Sequence, residues 1–258
     1  MSSTLKIDKL TKKFEAGTEN EKTALDAVSL LVEPGEFITV LGSNGSGKTT
    51  LFNSILGTIY PDSGHIFLDD EDITYQKDYK RALNIGCLYQ NPLRGTAPNL
   101  TIEENLALAY TRKASRSFFA VNKKDSAYFR EVLSTLGMGL ENRMKTKMGL
   151  LSGGQRQAAS LLMATIAQPK LLLLDEHTAA LDPGAAQKVM ELTGKITSEN
   201  KITTLMITHD MDYALEYGNR TIMMDSGHVV MDLSGEERAK MTPGQLAEIF
   251  YTKTRRNA

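Results

Sequence analysis

The apolar run Leu171, Leu172, Leu173 and Leu174 closes on two acids, Asp175 and Glu176. A carboxylate at the end of a buried strand can hold a hydrated Mg²⁺, and a second one beside it is placed to accept a proton from an attacking water. Upstream, Gly42, Ser43, Asn44, Gly45, Ser46, Gly47, Lys48 and Thr49 have the spacing Gly-x4-Gly-Lys-Thr. Glycine admits backbone conformations in which successive N–H groups turn inward on a phosphate, and the following helix directs its positive end to the same place. Lys48 adds a point charge for β- and γ-phosphates, the Thr49 hydroxyl is positioned to ligate Mg²⁺, and Thr50 follows in the first helical turn. Alone, the pattern also fits a glycine-rich turn with an exposed lysine, so its flanks decide.

A second anion site is drawn around Ser152, Gly153, Gly154 and Gln155. Ser152 reads as an N-cap, and the two glycines leave bare the start of a helix expected from Arg156 to Ala167, which stops before Pro169. Three further polar residues close strands or turns. Gln90 ends an apolar strand over residues 84–89 and opens a loop to Pro98 that contains two prolines and a glycine. Asp182 lies in a turn before a helix expected from Ala185 to about Ser198, and His209 ends an apolar run over 202–208, where it can reach a γ-phosphate. Phe14 precedes a turn-forming break and is equally compatible with stacking on an adenine ring, an exposed position or a minor core contact.

The elements that must position these groups follow from periodicity. Residues 36–41 have the length and composition of a buried strand, and residues 49–56 read as a helix, which is the context a phosphate loop requires. Residues 5–41 alternate apolar and polar positions, with breaks at 16–20 and 33–35, and predict short antiparallel strands. Residues 65–69 read as a further strand after a turn at 60–64. From Thr101, with Glu104 three residues on as a capping box, helical periodicity dominates to about Leu136. That helix-rich stretch between strands predicts a helical subdomain. Arg112, Lys113, Arg116, Lys123, Lys124 and Arg130 form a solvated basic face or meet a membrane-proximal surface. A hairpin over 221–233, a helix over about 242–251 and a short basic tail complete the chain.

Composition narrows the class. The chain has 258 residues, 41% hydrophobic and 24% charged, enough for one large or two small domains. A net charge of −1 gives no electrostatic case for nucleic acid. The single cysteine, Cys87, excludes a disulfide framework or a thiolate metal site within the chain and reads as a small apolar strand residue. The N-terminus lacks the pattern of a signal peptide, and no run approaches the roughly 20 apolar residues that span a bilayer. The expectation is a cytosolic protein, or one attached to a membrane only through a partner.

The phosphate loop, Gln90, Leu151-Ser152-Gly153-Gly154-Gln155, the run ending in Glu176, Asp182 and His209 occur here in one order, and the chain resembles the ATP-binding subunit of an ABC transporter over nearly its whole length. The resemblance implies an α/β fold: a P-loop NTPase core with a mixed or parallel central sheet, an antiparallel β subdomain and an inserted α-helical signature subdomain. It implies one ABC ATPase domain over 1–258, with core residues 1–90 and 170–258 and a helical subdomain at about 91–169.

Carried over by residue, Lys48 and Thr49 bind phosphates and Mg²⁺, Gln90 senses the γ-phosphate and the metal, and Glu176 is the general base. Asp182 couples two sites across a dimer, His209 holds the γ-phosphate, and Phe14 stands where the family commonly stacks a tyrosine on adenine. Two copies are expected to clamp two ATP molecules head to tail, the Gly42 to Thr49 loop of one facing Ser152 to Gln155 of the other. Separate permease subunits, a substrate-binding lipoprotein and a place on the cytoplasmic face of the membrane follow from the same resemblance. His177 departs from the usual proline after Glu176; it is a tolerated loop residue or the mark of a bacterial importer group, some of whose members look like aromatic amino-acid importers. The alternative is a non-transport or exporter-associated ABC ATPase, although the long coiled coils or second cassette of chromosome, repair and ribosome members are absent.

Overall fold

The computed structural model describes residues 3–112 and 123–254. Lys113 and Arg116 of the basic face, and the end of the basic tail, lie outside the described residues. The first part of the chain forms β1 (Leu5–Phe14), β2 (Lys22–Val32), β3 (Phe37–Gly42), α1 (Lys48–Leu56), β4 (Ser63–Leu68), β5 (Glu71–Asp72), α2 (Asp78–Arg81) and β6 (Ile85–Leu88). Next come α3 (Ile102–Tyr110), α4 (Lys123–Ser134), two 3₁₀ turns at Leu140–Asn142 and Met148–Leu150, and α5 (Gly153–Thr165). The last part holds β7 (Leu171–Asp175), α6 (Pro183–Asn200), β8 (Thr203–Ile207), α7 (Met211–Glu216), β9 (Arg220–Asp225), β10 (His228–Ser234), α8 (Gly235–Ala239) and α9 (Pro243–Thr254).

Alternating strands near the N-terminus can bury only one face, and they pair antiparallel in the order β2-β1-β4-β5. The continuous apolar runs need cover on both faces, and they build a six-stranded sheet in the order β10-β9-β3-β8-β7-β6. Within it β9, β3, β8, β7 and β6 run parallel and β10 is antiparallel to β9. Leu171 and Leu173 face one apolar cluster, with Ile38, Val40, α1 and the antiparallel sheet. Leu172 and Leu174 face the other, with α3, α4, α5 and α6. The period of two along β7 thus joins both layers to one sheet.

Thr101 caps α3 through the expected box, its Oγ1 accepting from Glu104 N at 3.2 Å. Boundaries moved where caps act. α5 begins at Gly153 rather than Arg156 because Ser152 caps it, and α6 begins at Pro183 rather than Ala185 because Asp182 accepts from Ala185 N and proline suits the first turn. α2, α7 and α8 are absent from the sequence expectation, since four to six residues are too few to show a helical period. Among the described residues no helix is long and apolar enough to cross a membrane.

Candidate active site

Glycine shapes the turn between β3 and α1. Gly47, the residue before α1, has φ +104°, and a Cβ there would lie 2.3 Å from Ala24 O. Gly42 has φ +156°, and its Cβ would meet Met224 O and Ser46 Oγ, each at 2.5 Å. Only bare backbone fits between the two sheets here, which leaves a turn of N–H groups at a helix N-terminus, suited to an anion. Lys48 is 5% exposed, and its Nζ donates to Gly42 O at 2.8 Å and Ser43 O at 2.9 Å. Burial pushes its ammonium down, while the charges of Glu176 and Asp175 push it up, so the loop and both acids share one field. Asn44, Gly45 and Thr49 are exposed at the rim, Ser46 is buried, and Ser43 and Thr50 are half-buried.

Because β6, β7, β8 and β3 are parallel neighbours, their carboxyl ends lie along one edge. Glu176 leaves β7 with φ +45°, a left-handed conformation that costs an L-residue energy, and its amide donates to Ile207 O on β8 at 3.1 Å. Its Oε1 lies 2.6 Å from His209 Nε2, and its Oε2 accepts from Gln90 Nε2 at 3.3 Å. Burial raises the Asp175 carboxyl above its usual range, the neighbouring Glu176 charge raises it further, and Lys48 opposes both. His209 is held by a turn in which Thr208 Oγ1 accepts from Asp210 N at 3.1 Å, and Asp210 caps α7.

Ser152 and Gln155 form a reciprocal cap, Gln155 N donating to Ser152 Oγ at 3.2 Å and Ser152 N to Gln155 Oε1 at 3.3 Å. The helix start is therefore less bare than its glycines imply; the amides of Gly153 and Gly154, which a helix cannot pair internally, remain. A Cβ on Gly154 would sit 2.8 Å from Ala185 Cβ, so the signature helix packs closely on the first turn of α6 that Asp182 caps. Among the described residues no hydrogen bond or ion pair joins Ser152, Gly153, Gly154 or Gln155 to the Gly42 to Thr49 loop. Phe14 is 38% exposed at the end of β1, paired in register with Lys22, whose Nζ lies 3.5 Å from a Cβ built on Gly45. The strand paired with Phe14 thus reaches the phosphate loop through Lys22.

The contacts of Arg94 and the burial of His177 escaped the sequence. Arg94 stacks on Tyr89 with its guanidinium carbon 4.7 Å from the ring centroid, and its charge lowers the Asp175 carboxyl. A cleft of about 270 Å³ opens beside Gln90, lined by Cys87, Tyr89, Arg94, Arg112, Gln157 and Ser160. Burial pushes the Cys87 thiol up to about 12, consistent with a small apolar residue. His177 lies in the turn after β7, 2% exposed, and burial pushes it down to about 4, so this loop residue is a buried neutral group. The charged neighbours of Arg94 and the polar setting of His177 gave no signal in the sequence beyond the loop composition at 91–98 and the missing proline.

The ABC transporter family pattern matches residues 25–179. A tyrosine transport ATP-binding protein of Clostridioides difficile is 41% identical over 246 residues, covering 95% of this chain and 98% of the relative. A methionine import ATP-binding protein of Corynebacterium glutamicum is 36% identical over 253 residues, covering 96% of this chain and 67% of the relative. Among solved structures, a dimeric ATP-binding cassette in a post-hydrolysis state with ADP and Pi aligns with TM-score 0.77 and 29% identity over 89% of this chain and 98% of its own. The ADP conformation of another ABC transporter cassette aligns with TM-score 0.79 and 25% identity over 98% and 99%.

Proposed function

This chain belongs to the ABC transporter family of ATP-binding ATPase subunits, and on that premise we propose that it is the ATP-hydrolysing subunit of a bacterial importer. The observation that carries the reading is the edge at which Lys48, Asp175, Glu176, Gln90 and His209 meet. Lys48 and the loop amides bind the phosphates of ATP. Glu176 accepts the proton of the attacking water, and His209, now on the glutamate, exchanges that contact for the γ-phosphate when nucleotide binds. Thr49, Gln90 and Asp175 would hold a hydrated Mg²⁺, whose oxygen preference they match and which supplies positive charge at the β- and γ-phosphates. Among the described residues no group of three or more His, Cys, Asp and Glu side chains could hold a metal alone, and a Mg²⁺ held by Thr49, Gln90 and Asp175 would draw further oxygens from phosphate and water.

Among the described residues no hydrogen bond or ion pair joins the signature motif to its own phosphate loop, which supports a composite site: two copies sandwich two ATP molecules, each loop facing the partner's copy of the Ser152 helix start. In this assembly Asp182 lies between sites, and Phe14 stacks on adenine. The apolar clusters run through both layers, which supports a single ABC ATPase domain over 1–258, core residues 1–90 and 170–258 with a helical subdomain at about 91–169. A separate permease docks in the cleft beside Gln90, and closure of the dimer drives it as a two-state element biased by nucleotide. The subunit is then peripheral on the cytoplasmic face of the membrane, working with a substrate-binding lipoprotein. The relative named for tyrosine transport supports an aromatic amino acid as the cargo class.

The test is a pull-down of tagged protein from detergent-solubilised host membranes. Recovery of a multispanning permease with a binding lipoprotein is the expected outcome. Recovery of soluble partners alone overturns the importer and leaves the ATPase chemistry standing.

A further inference from the structure

His177, next to the base, takes no part in the chemistry above. Its Nε2 lies 3.2 Å from Thr193 Oγ1 on α6, and both residues are buried, at 2% and 0% exposure. Thr193 Oγ1 donates to Val189 O at 2.8 Å, so its single proton is already used. With the hydroxyl proton placed on Val189 O, the pairing assigns the imidazole as donor, its hydrogen on Nε2. This bond ties the residue after Glu176 to the third turn of a helix whose own start is capped by Asp182 and packed against Gly154.

The tie matters because Glu176 is strained. At φ +45° it persists only where its surroundings over-determine it. On one side its amide donates to Ile207 O, anchoring it to β8. Its carbonyl accepts from Ala179 N at 3.0 Å, a contact within the same loop that fixes nothing external. Its carboxylate meets His209 and Gln90, and the main chain that follows it is anchored outside the loop by the His177 bond to α6. A proline at 177 would restrict φ but donate nothing.

We propose that His177 is a positioning residue for ATP hydrolysis: its Nε2–H bond to Thr193 holds Glu176 in its left-handed conformation and fixes the base relative to α6 and the signature helix. The inference rests on Glu176 being the base.

The experiment compares full-length variants in Mg²⁺-ATP hydrolysis. H177F fills the site without a donor, and T193V removes the acceptor. Each is expected to lower kcat about 10- to 100-fold with KM for ATP within about twofold of the parent, the signature of lost positioning rather than lost binding. H177Q, which restores an N–H near Nε2, and T193S, which restores the hydroxyl, are expected to recover most of the turnover. The H177F/T193V double variant is expected to lose no more than the worse single one, since both break one bond. Thermal melting sets an assay temperature at which each variant is folded, and T193V carries the test if H177F does not fold. Parent kcat in folded T193V, or no recovery in T193S and H177Q, overturns the proposal. E176Q is assayed in parallel: an inactive E176Q beside a fully active T193V removes only the positioning role, whereas parent turnover in E176Q removes the base assignment on which it rests.

Discussion

His209 Nε2 lies 2.6 Å from Glu176 Oε1, so the ends of β8 and β7 are joined through the proposed base. Gln90 at the end of β6 reaches the other oxygen. A glutamine at 176 keeps the size of the side chain and loses its ability to take a proton. Glu176→Gln is expected to lower hydrolysis about 10²- to 10⁴-fold while ATP binding persists and a closed dimer accumulates. Turnover assays and size-exclusion chromatography with ATP check this, and parent-rate hydrolysis contradicts it.

Ser152 sits exposed at the start of α5, where it caps the helix. Ser152→Arg removes the cap, at a cost of about 1 kcal/mol, and fills the space before the Gly153 and Gly154 amides. Hydrolysis is expected to vanish while a fluorescent ATP analogue still binds. Complete loss of binding would count against a site shared between two copies.

At Gly47 an added methyl meets Ala24 O at 2.3 Å, and the backbone at φ +104° disfavours any side chain. Gly47→Ala is expected to lose nucleotide binding and to destabilise by more than about 1–3 kcal/mol. Gly244 in α9 has nothing within 4 Å of such a methyl. Gly244→Ala is therefore expected to be neutral or stabilising by up to about 1 kcal/mol. Urea denaturation of the two variants reads the contrast.

Arg81 is 1% exposed and donates to Ser54 O at 2.6 Å, Ile55 O at 2.8 Å, Thr74 O at 2.7 Å and Gln76 O at 2.9 Å. It satisfies the C-terminal carbonyls of the phosphate-loop helix and opposes that helix's negative end. Arg81→Met strands those carbonyls and is expected to cost about 3 kcal/mol or more, with Arg81→Lys recovering little because one ammonium cannot span four acceptors. Urea midpoints for both variants check the order.

Burial holds His177 at about 4 in the folded chain, against 6.5 for the free group. The unfolded chain therefore binds an extra proton between these values, so this contribution is full above about pH 6.5 and falls as pH drops toward 4, by about 3 kcal/mol at most. Comparing urea stability at pH 7.5 and 5 in the parent and in His177→Gln isolates it. An equal slope in both chains would assign the acid sensitivity to other groups.

The sequence alone determined what local physics controls. The glycines of the phosphate loop, the caps Thr101 and Ser152, and the apolar run before Asp175 each act within a few residues, so spacing and residue type were enough to read them, whereas Asp182 reads in the sequence only as part of a turn and in the structure is the cap of α6. The short helix α7, which supports His209, stayed hidden because six residues carry no period, although Asp210 gave the cap that starts it. Arg81, in a run of charged residues typical of a surface, is among the most buried side chains, because the carbonyls that solvate it come from residues 54, 55, 74 and 76. Only the tertiary structure decided which strand ends lie side by side. Gln90, Glu176 and His209 are separated by tens of residues, and nothing local fixes their contact. They meet because parallel pairing of β6 and β8 on either side of β7 aligns the strand ends, and the order β8-β7-β6 puts three carboxyl ends within reach of one carboxylate.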